Sequence, residues 1–253
     1  MRGAAARSKG VMLCLVTVAI GYSGAGWSEP VAFYRPLVLD GTLVRWQGTT
    51  LGKPATVRYR LVDRTIARPA AQNCKGLQPF DRLLSGSAIS AEALTASLRR
   101  ALLRWERVAD ITFVEARSEE EADLLLGEQV EPEGRAFASI DKGPGRSDGV
   151  QQIQRAFVCL NPVQSWKIGF DGDLSVYDLV HTLTHEVGHV IGLDHPRGTG
   201  HVMSRRYDES ALGLSQGDIA GAVALYGPPR AVQAARLDLG PESHQQLDKP
   251  DAR

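Results

Sequence analysis

The chain has 253 residues, 43% hydrophobic and 23% charged, with 29 basic residues against 29 acidic ones. That is an ordinary globular composition with room for one sizeable core, free of repeats and low-complexity tracts. Nothing in the charge balance suggests nucleic acid as a partner.

The first residues read as a targeting segment. Arg2, Arg7 and Lys9 precede an apolar run over residues 11–20, which ends in the small residues Ser23, Gly24, Ala25 and Gly26. A basic head, a short apolar stretch and small residues at a cleavage site make residues 1–28 a secretory signal peptide. The run is too short to span a bilayer comfortably, so no stable membrane insertion is expected after cleavage. The alternative is an uncleaved N-terminal anchor. A cleaved protein would be periplasmic or secreted. Removing the segment lowers Lys plus Arg from 29 to 26 against 29 Asp plus Glu, a net charge of about −3. It also leaves Cys74 and Cys159 as the only cysteines. In an exported protein two cysteines are most simply one disulfide, the alternative being two buried thiols.

Residues 29–54 carry Pro30, Pro36, Pro54 and an Asp40-Gly41 turn signal between short apolar pieces. They read as a lead-in segment with room for a hairpin. Residues 56–62 alternate with a period of two, the mark of a half-buried strand. An irregular stretch follows with Pro69, Cys74, Gly76 and Pro79. Ser90 then caps a helix predicted over 91–108, with Leu94, Leu98, Leu102 and Trp105 as its buried stripe. Strands are predicted at 111–114 and 122–126, and two shorter ones at 135–140 and 154–160 with a Gly- and Pro-containing loop between them. Ser175 with Asp178 three residues on is a capping-box variant that would start a core helix bearing Leu179, Val180, Leu183, Val187 and Val190. Ser215 with Asp218 opens a last helix over 216–226, stopped by Gly227, Pro228 and Pro229. Residues 229–253 are polar, and a disordered tail is expected there. Residues 29–228 would then form one domain.

Five of the six histidines fall between His181 and His201. Within that stretch His185, Glu186, His189, Gly192 and His195 spell H-E-x-x-H-x-x-G-x-x-H. Residues four apart share a helix face, so His185 and His189 can present imidazoles to one metal ion. Gly192 lets the helix stop and the chain swing back, because glycine accepts positive φ without steric cost. His195 can then close a three-nitrogen site whose fourth position stays open, which is catalytic zinc geometry. Glu186 falls within reach of a water at such a site.

This signature, followed by Met203 eight residues beyond His195, resembles the metzincin metallopeptidases. The resemblance implies an α+β fold: a twisted, mostly parallel sheet of about five strands with an antiparallel edge strand, two long helices and a C-terminal helix. It also implies that Met203 forms an apolar floor beneath the zinc. The short gap from His195 to Met203, and Tyr207 four residues after the Met, are similar to the matrixin (matrix metalloproteinase-like) branch. So is the run over 214–221 that ends in Leu225, Tyr226 and Gly227. Astacins and serralysins place a tyrosine two residues after the Met, where this chain has Arg205. Pro196 is more like serralysins, whose His-to-Met gap is much longer. The whole therefore resembles a secreted matrixin of bacterial type.

Two matrixin companions are not expected. Cys74 does not sit in an inhibitory propeptide motif, and its pairing with Cys159 is the preferred reading. No histidine precedes His181, so a second, structural zinc has no ligands. Asp171 and Asp173 offer two carboxylates to a Ca2+ ion, with nothing further in support. The resemblance implies hydrolysis of a polypeptide by zinc-activated water, Glu186 acting as general base and then acid. It also implies strand addition of the substrate near residues 134–140, and a side-chain pocket flanked by His181, Thr182 and Tyr207. A monomer is expected. The rivals are a non-catalytic zinc-binding or adhesion module and a serralysin-like peptidase.

Overall fold

The computed structural model describes residues 34–230. The signal peptide read at 1–28 lies outside them, as does the tail read at 229–253 apart from its first two residues. The described chain begins with three short strands, β1 (Arg35–Pro36), β2 (Val38–Leu39) and β3 (Thr42–Arg45). β2 and β3 form a hairpin through Asp40 and Gly41, whose φ values of 48° and 76° are both left-handed, as a two-residue I′ turn requires. Next come β4 (Ala55–Leu61), the antiparallel ribbon β5 (Ile66–Ala67) with β6 (Gly76–Gln78), and the single-turn helix α1 (Asp81–Ser85). Then α2 (Ala91–Glu106) forms where the sequence predicts it, and the Ser90 hydroxyl accepts the Ala93 N–H at 3.2 Å.

Four further strands complete the main sheet: β7 (Ile111–Glu115), β8 (Leu124–Gln129), β9 (Ala136–Ser147) and β10 (Val150–Leu160). β7, β4, β8 and β10 are neighbours in that order and run parallel, while β9 pairs antiparallel with β10 as an edge strand. This is the α+β, metzincin-like sheet that the sequence resemblance implies. Every residue of β8 is buried, so it lacks the alternation of a half-exposed strand, as expected for a parallel strand covered on both faces.

Beyond the sheet lie the parallel pair β11 (Trp166–Lys167) and β12 (Tyr177–Asp178), the helix α3 (Leu179–Val190), the short β13 (Leu193–Asp194) and the last helix α4 (Gln216–Tyr226). No helix among the described residues is long and apolar enough to cross a membrane. Helices α2 and α3 pack on each other through Trp105, which is fully buried and donates its indole N–H to the Thr184 carbonyl at 3.0 Å.

Two expectations are corrected. The loop expected between the strands at 135–140 and 154–160 is instead strand: β9 and β10 run on to a turn at Asp148 and Gly149, with φ of 50° and 75°. Gly143, Pro144 and Gly145 are absorbed where the β9–β10 register shifts, a position at an edge that tolerates a residue without an N–H. Ser175 does not cap α3. Its N–H and hydroxyl bond Asp173, while Tyr177 and Asp178 are drawn into extended pairing with β11. The cap is Asp178 itself, whose carboxylate accepts the His181 N–H at 2.6 Å.

The lead-in segment is bound tightly into the fold. Arg45 is fully buried, and its guanidinium donates to the carbonyls of Leu225, Gln47 and Lys53. The Trp46 indole donates to the Val190 carbonyl at 2.9 Å, which ties the segment to the end of α3.

Cys74 and Cys159 are joined by a disulfide across 85 residues. It fixes the irregular stretch after β5 to β10, within a second cluster that holds Val62, Leu77, Leu125 and Phe157. Closing a loop of that length removes roughly 4 kcal/mol of chain entropy from the unfolded state. A Cys74→Ser, Cys159→Ser double variant should therefore melt about 10 °C below the oxidised wild type. A shift of only about 2 °C in matched melts would show that the bond constrains little.

Candidate active site

Helix α3 carries His185 and His189 one turn apart, and Gly192 ends it at φ 97°. A Cβ at Gly192 would lie 2.3 Å from the Val44 carbonyl oxygen, so both the turn and the close packing against β3 demand glycine. The reversal delivers β13, whose Leu193 and Asp194 pair with β1, and then His195. Ligand nitrogens of His185, His189 and His195 all lie within 4.8 Å of one another, and the Nε2 atoms of His185 and His195 are 3.2 Å apart.

Two of the imidazoles are oriented from behind by backbone carbonyls. His185 Nδ1 lies 2.7 Å from the Val202 carbonyl, and His189 Nδ1 lies 2.8 Å from that of Leu193. A carbonyl can only accept, so both Nδ1 atoms carry the proton and both Nε2 lone pairs are bare. Burial, aided by the neighbouring imidazole, holds His185 well below its usual pKa. Burial first, then His195, holds His189 at about 4, and burial lowers His195 as well. Three neutral nitrogens converging on one point, two of them with the tautomer fixed by a backbone carbonyl, are a donor set that fits zinc.

Met203 packs against α3 at Gly188 and is 1% exposed. A Cβ at Gly188 would fall 2.1 Å from its sulfur and 3.0 Å from Trp105, so α3 needs a glycine on the face that meets the Met. The turn that presents Met203 is held by Asp218, which the sequence reading used only as a helix cap. Its carboxylate accepts the N–H groups of Val202 at 3.0 Å, Met203 at 3.3 Å and Ser215 at 2.9 Å. The reciprocal bond from Asp218 N–H to the Ser215 hydroxyl completes the capping box of α4. His201 stays apart from the triad and bonds Ser215.

Glu186 is 3% exposed and borders a cleft of about 740 Å³ that also exposes the histidines and residues 136–141 of β9. Burial raises its carboxyl to about 7, against the opposing pull of Arg135 and of the Ala138 N–H. His181, Thr182 and Tyr207 do not line this cleft. His181 and Thr182 are 2% and 0% exposed, and the Tyr207 hydroxyl accepts the Asp178 N–H and donates to Glu209. Arg135 packs against the rings of Tyr177 and Tyr207. The sequence reading missed it, since only the fold brings residue 135 beside residues 177 and 207.

Asp171 and Asp173, the carboxylates weighed for calcium, fold around a protein cation. The Lys167 ammonium pairs with Asp171, with Glu209 at 2.6 Å and with the Asp173 carbonyl at 2.7 Å. Asp173 also accepts from Ser175.

Fold and site together define a metzincin-type zinc site. The family model described as matrixin matches residues 83–227, and the chain belongs to the matrixin family. It is 31% identical to Metalloendoproteinase 1-MMP of Arabidopsis thaliana over 155 residues, covering 55% of this chain and 40% of that protein. With Stromelysin-1 of Rattus norvegicus it shares 32% identity over 148 residues, 54% of this chain and 29% of the relative. With Interstitial collagenase of Sus scrofa the figures are 27% over 172 residues, 63% and 33%. The match spans less than half the length of each of these relatives.

Proposed function

We propose that this chain is an exported zinc endopeptidase in which His185, His189 and His195 hold the metal and Glu186 moves the proton. The observation that carries the reading is the anchoring of His185 and His189 by backbone carbonyls, with their Nε2 atoms aimed at the point where His195 joins them beside Glu186. Zinc at that point supplies Lewis acidity, which acidifies water and polarises a scissile carbonyl. Glu186 takes the proton that the attacking water gives up and passes it to the departing amine. A carboxylate beside the metal site can serve in both directions.

The free edge of β9 receives the substrate as an added strand, so residues 136–140 fix the peptide backbone next to Glu186. Gly192 and Met203 shape the site without touching substrate. Residues 29–228 act as one catalytic domain, and the basic and apolar stretch at 1–28 directs export.

Purified protein should contain one zinc per chain. Dialysis against a chelator should abolish cleavage of casein, and added zinc should restore it. Stoichiometric zinc with no cleavage of casein or of a mixed peptide library would leave a non-catalytic zinc-binding module instead.

A further inference from the structure

Building on the peptidase reading, we propose that the cleft selects polypeptides with an acidic side chain just after the scissile bond, held by the guanidinium of Arg135. Arg135 stands at the head of β9 and lines the cleft with Glu186 and the three histidines. Its Cζ lies 5.1 Å from the ring centre of Tyr177 and 5.7 Å from that of Tyr207, so two aromatic rings hold a cation in place there. Among the described residues its buried Nε has no hydrogen-bond partner. Two of the three acids on the cleft wall are already paired, Asp141 with Arg68 at 2.6 Å and Asp194 with Arg35 at 3.0 Å; the third, Glu186, feels the Arg135 charge but is the proton-moving group of the proposed reaction. Asp208, which faces His181, accepts the N–H and hydroxyl of Ser210. Arg205 adds a second cation to the cleft.

The wall behind Arg135 is closed to a large apolar side chain. His181 and Thr182 are buried, and the Tyr207 ring stands edge-on 5.2 Å from His181. That wall is also polar. Among the described residues, His181 Nδ1 and Thr182 Oγ1 are buried without partners, on the helical turn that leads to Glu186. An apolar substrate residue would cover Arg135 and leave its donors unpaired. A carboxylate meets the planar fork of the guanidinium with two parallel hydrogen bonds. Because the Ala138 N–H faces Glu186, a peptide added along β9 brings its side chains past the head of the strand beside the reacting bond.

The test uses zinc-loaded full-length protein and three quenched peptides that differ only in the residue after the scissile bond: glutamate, leucine or lysine. Cleavage positions are confirmed by mass spectrometry. Wild type should cleave the glutamate peptide with kcat/KM about 10-fold or more above the leucine peptide, with lysine slowest. Arg135→Met should bring the glutamate-to-leucine ratio down to about one, and Arg135→Glu should turn the preference towards lysine. The proposal is overturned if wild type prefers leucine, if Arg135→Met slows all three peptides alike, or if casein is cleaved while none of the three peptides is. Failure of zinc-loaded wild type to cleave casein as well as the peptides would instead sink the peptidase reading.

Discussion

Glu186→Gln should lower kcat/KM for peptide hydrolysis by about 10²- to 10⁴-fold while zinc content stays at one per chain. The substitution is nearly isosteric, and the amide oxygen can still face the Ala138 N–H that lies near the carboxylate now. Zinc should be retained because the three converging nitrogens belong to His185, His189 and His195, and two of them are oriented by backbone carbonyls that Glu186 does not touch. What disappears is a group able to take a proton and give it back. Glu186→Asp retains that group but draws it back by one methylene. A displacement of about 1 Å can itself cost about 10²-fold, so this variant should fall between glutamine and wild type. Folding should not suffer from the glutamine change, since it removes a buried ionisable group whose charge burial disfavours. Measuring rate, zinc content and melting temperature on the same preparations separates the contributions. A loss of less than about tenfold with zinc intact would remove Glu186 from the chemistry.

The parts of this protein that could be read in its sequence are those whose cause lies within a few residues. Gly192, the His185–His189 spacing and the Ser215–Asp218 capping box all act across one helical turn, and the structure places them as read. The alternation at 56–62 lies within one residue of β4 for the same reason, because a period of two is a local signal. The failures have distant causes. Ser175 and Asp178 satisfy a local capping pattern, but pairing of Tyr177 and Asp178 with β11 moves the cap by three residues. Gly143, Pro144 and Gly145 look like a loop until the long β10 partner supplies the pairing that carries β9 past them. Arg45, in a stretch read as a lead-in, is buried because its acceptors come from residue 225 as well as from its own neighbourhood. Arg135 belongs to the same group: its aromatic partners are 42 and 72 residues away, beyond any periodic signal.

Asp218 shows how a residue can be read correctly and its main consequence still be missed. Asp218→Ala should destabilise the protein by about 3–5 kcal/mol, far above the roughly 1 kcal/mol of an ordinary helix cap. The carboxylate is 2% exposed and accepts three backbone N–H groups, from Val202, Met203 and Ser215. Alanine would leave those three donors without their acceptor. The effect should also reach the metal. The Val202–Met203 peptide unit donates its N–H to Asp218 at 3.3 Å and offers its carbonyl to His185 Nδ1 at 2.7 Å, so one peptide unit links the buried carboxylate to a zinc-binding imidazole. Loosening that link should weaken zinc affinity about 10- to 100-fold, measured by competition with a chelator under conditions where the variant remains folded. Ser215→Ala supplies the control. It removes the hydroxyl that accepts the Asp218 N–H and breaks the capping box, yet leaves the Val202 and Met203 bonds to Asp218 in place. If Asp218 positions the zinc site, Ser215→Ala should cost about 1 kcal/mol and leave zinc affinity close to wild type. Equal losses of zinc affinity in the two variants would mean that Asp218 acts on the site only by holding the start of α4.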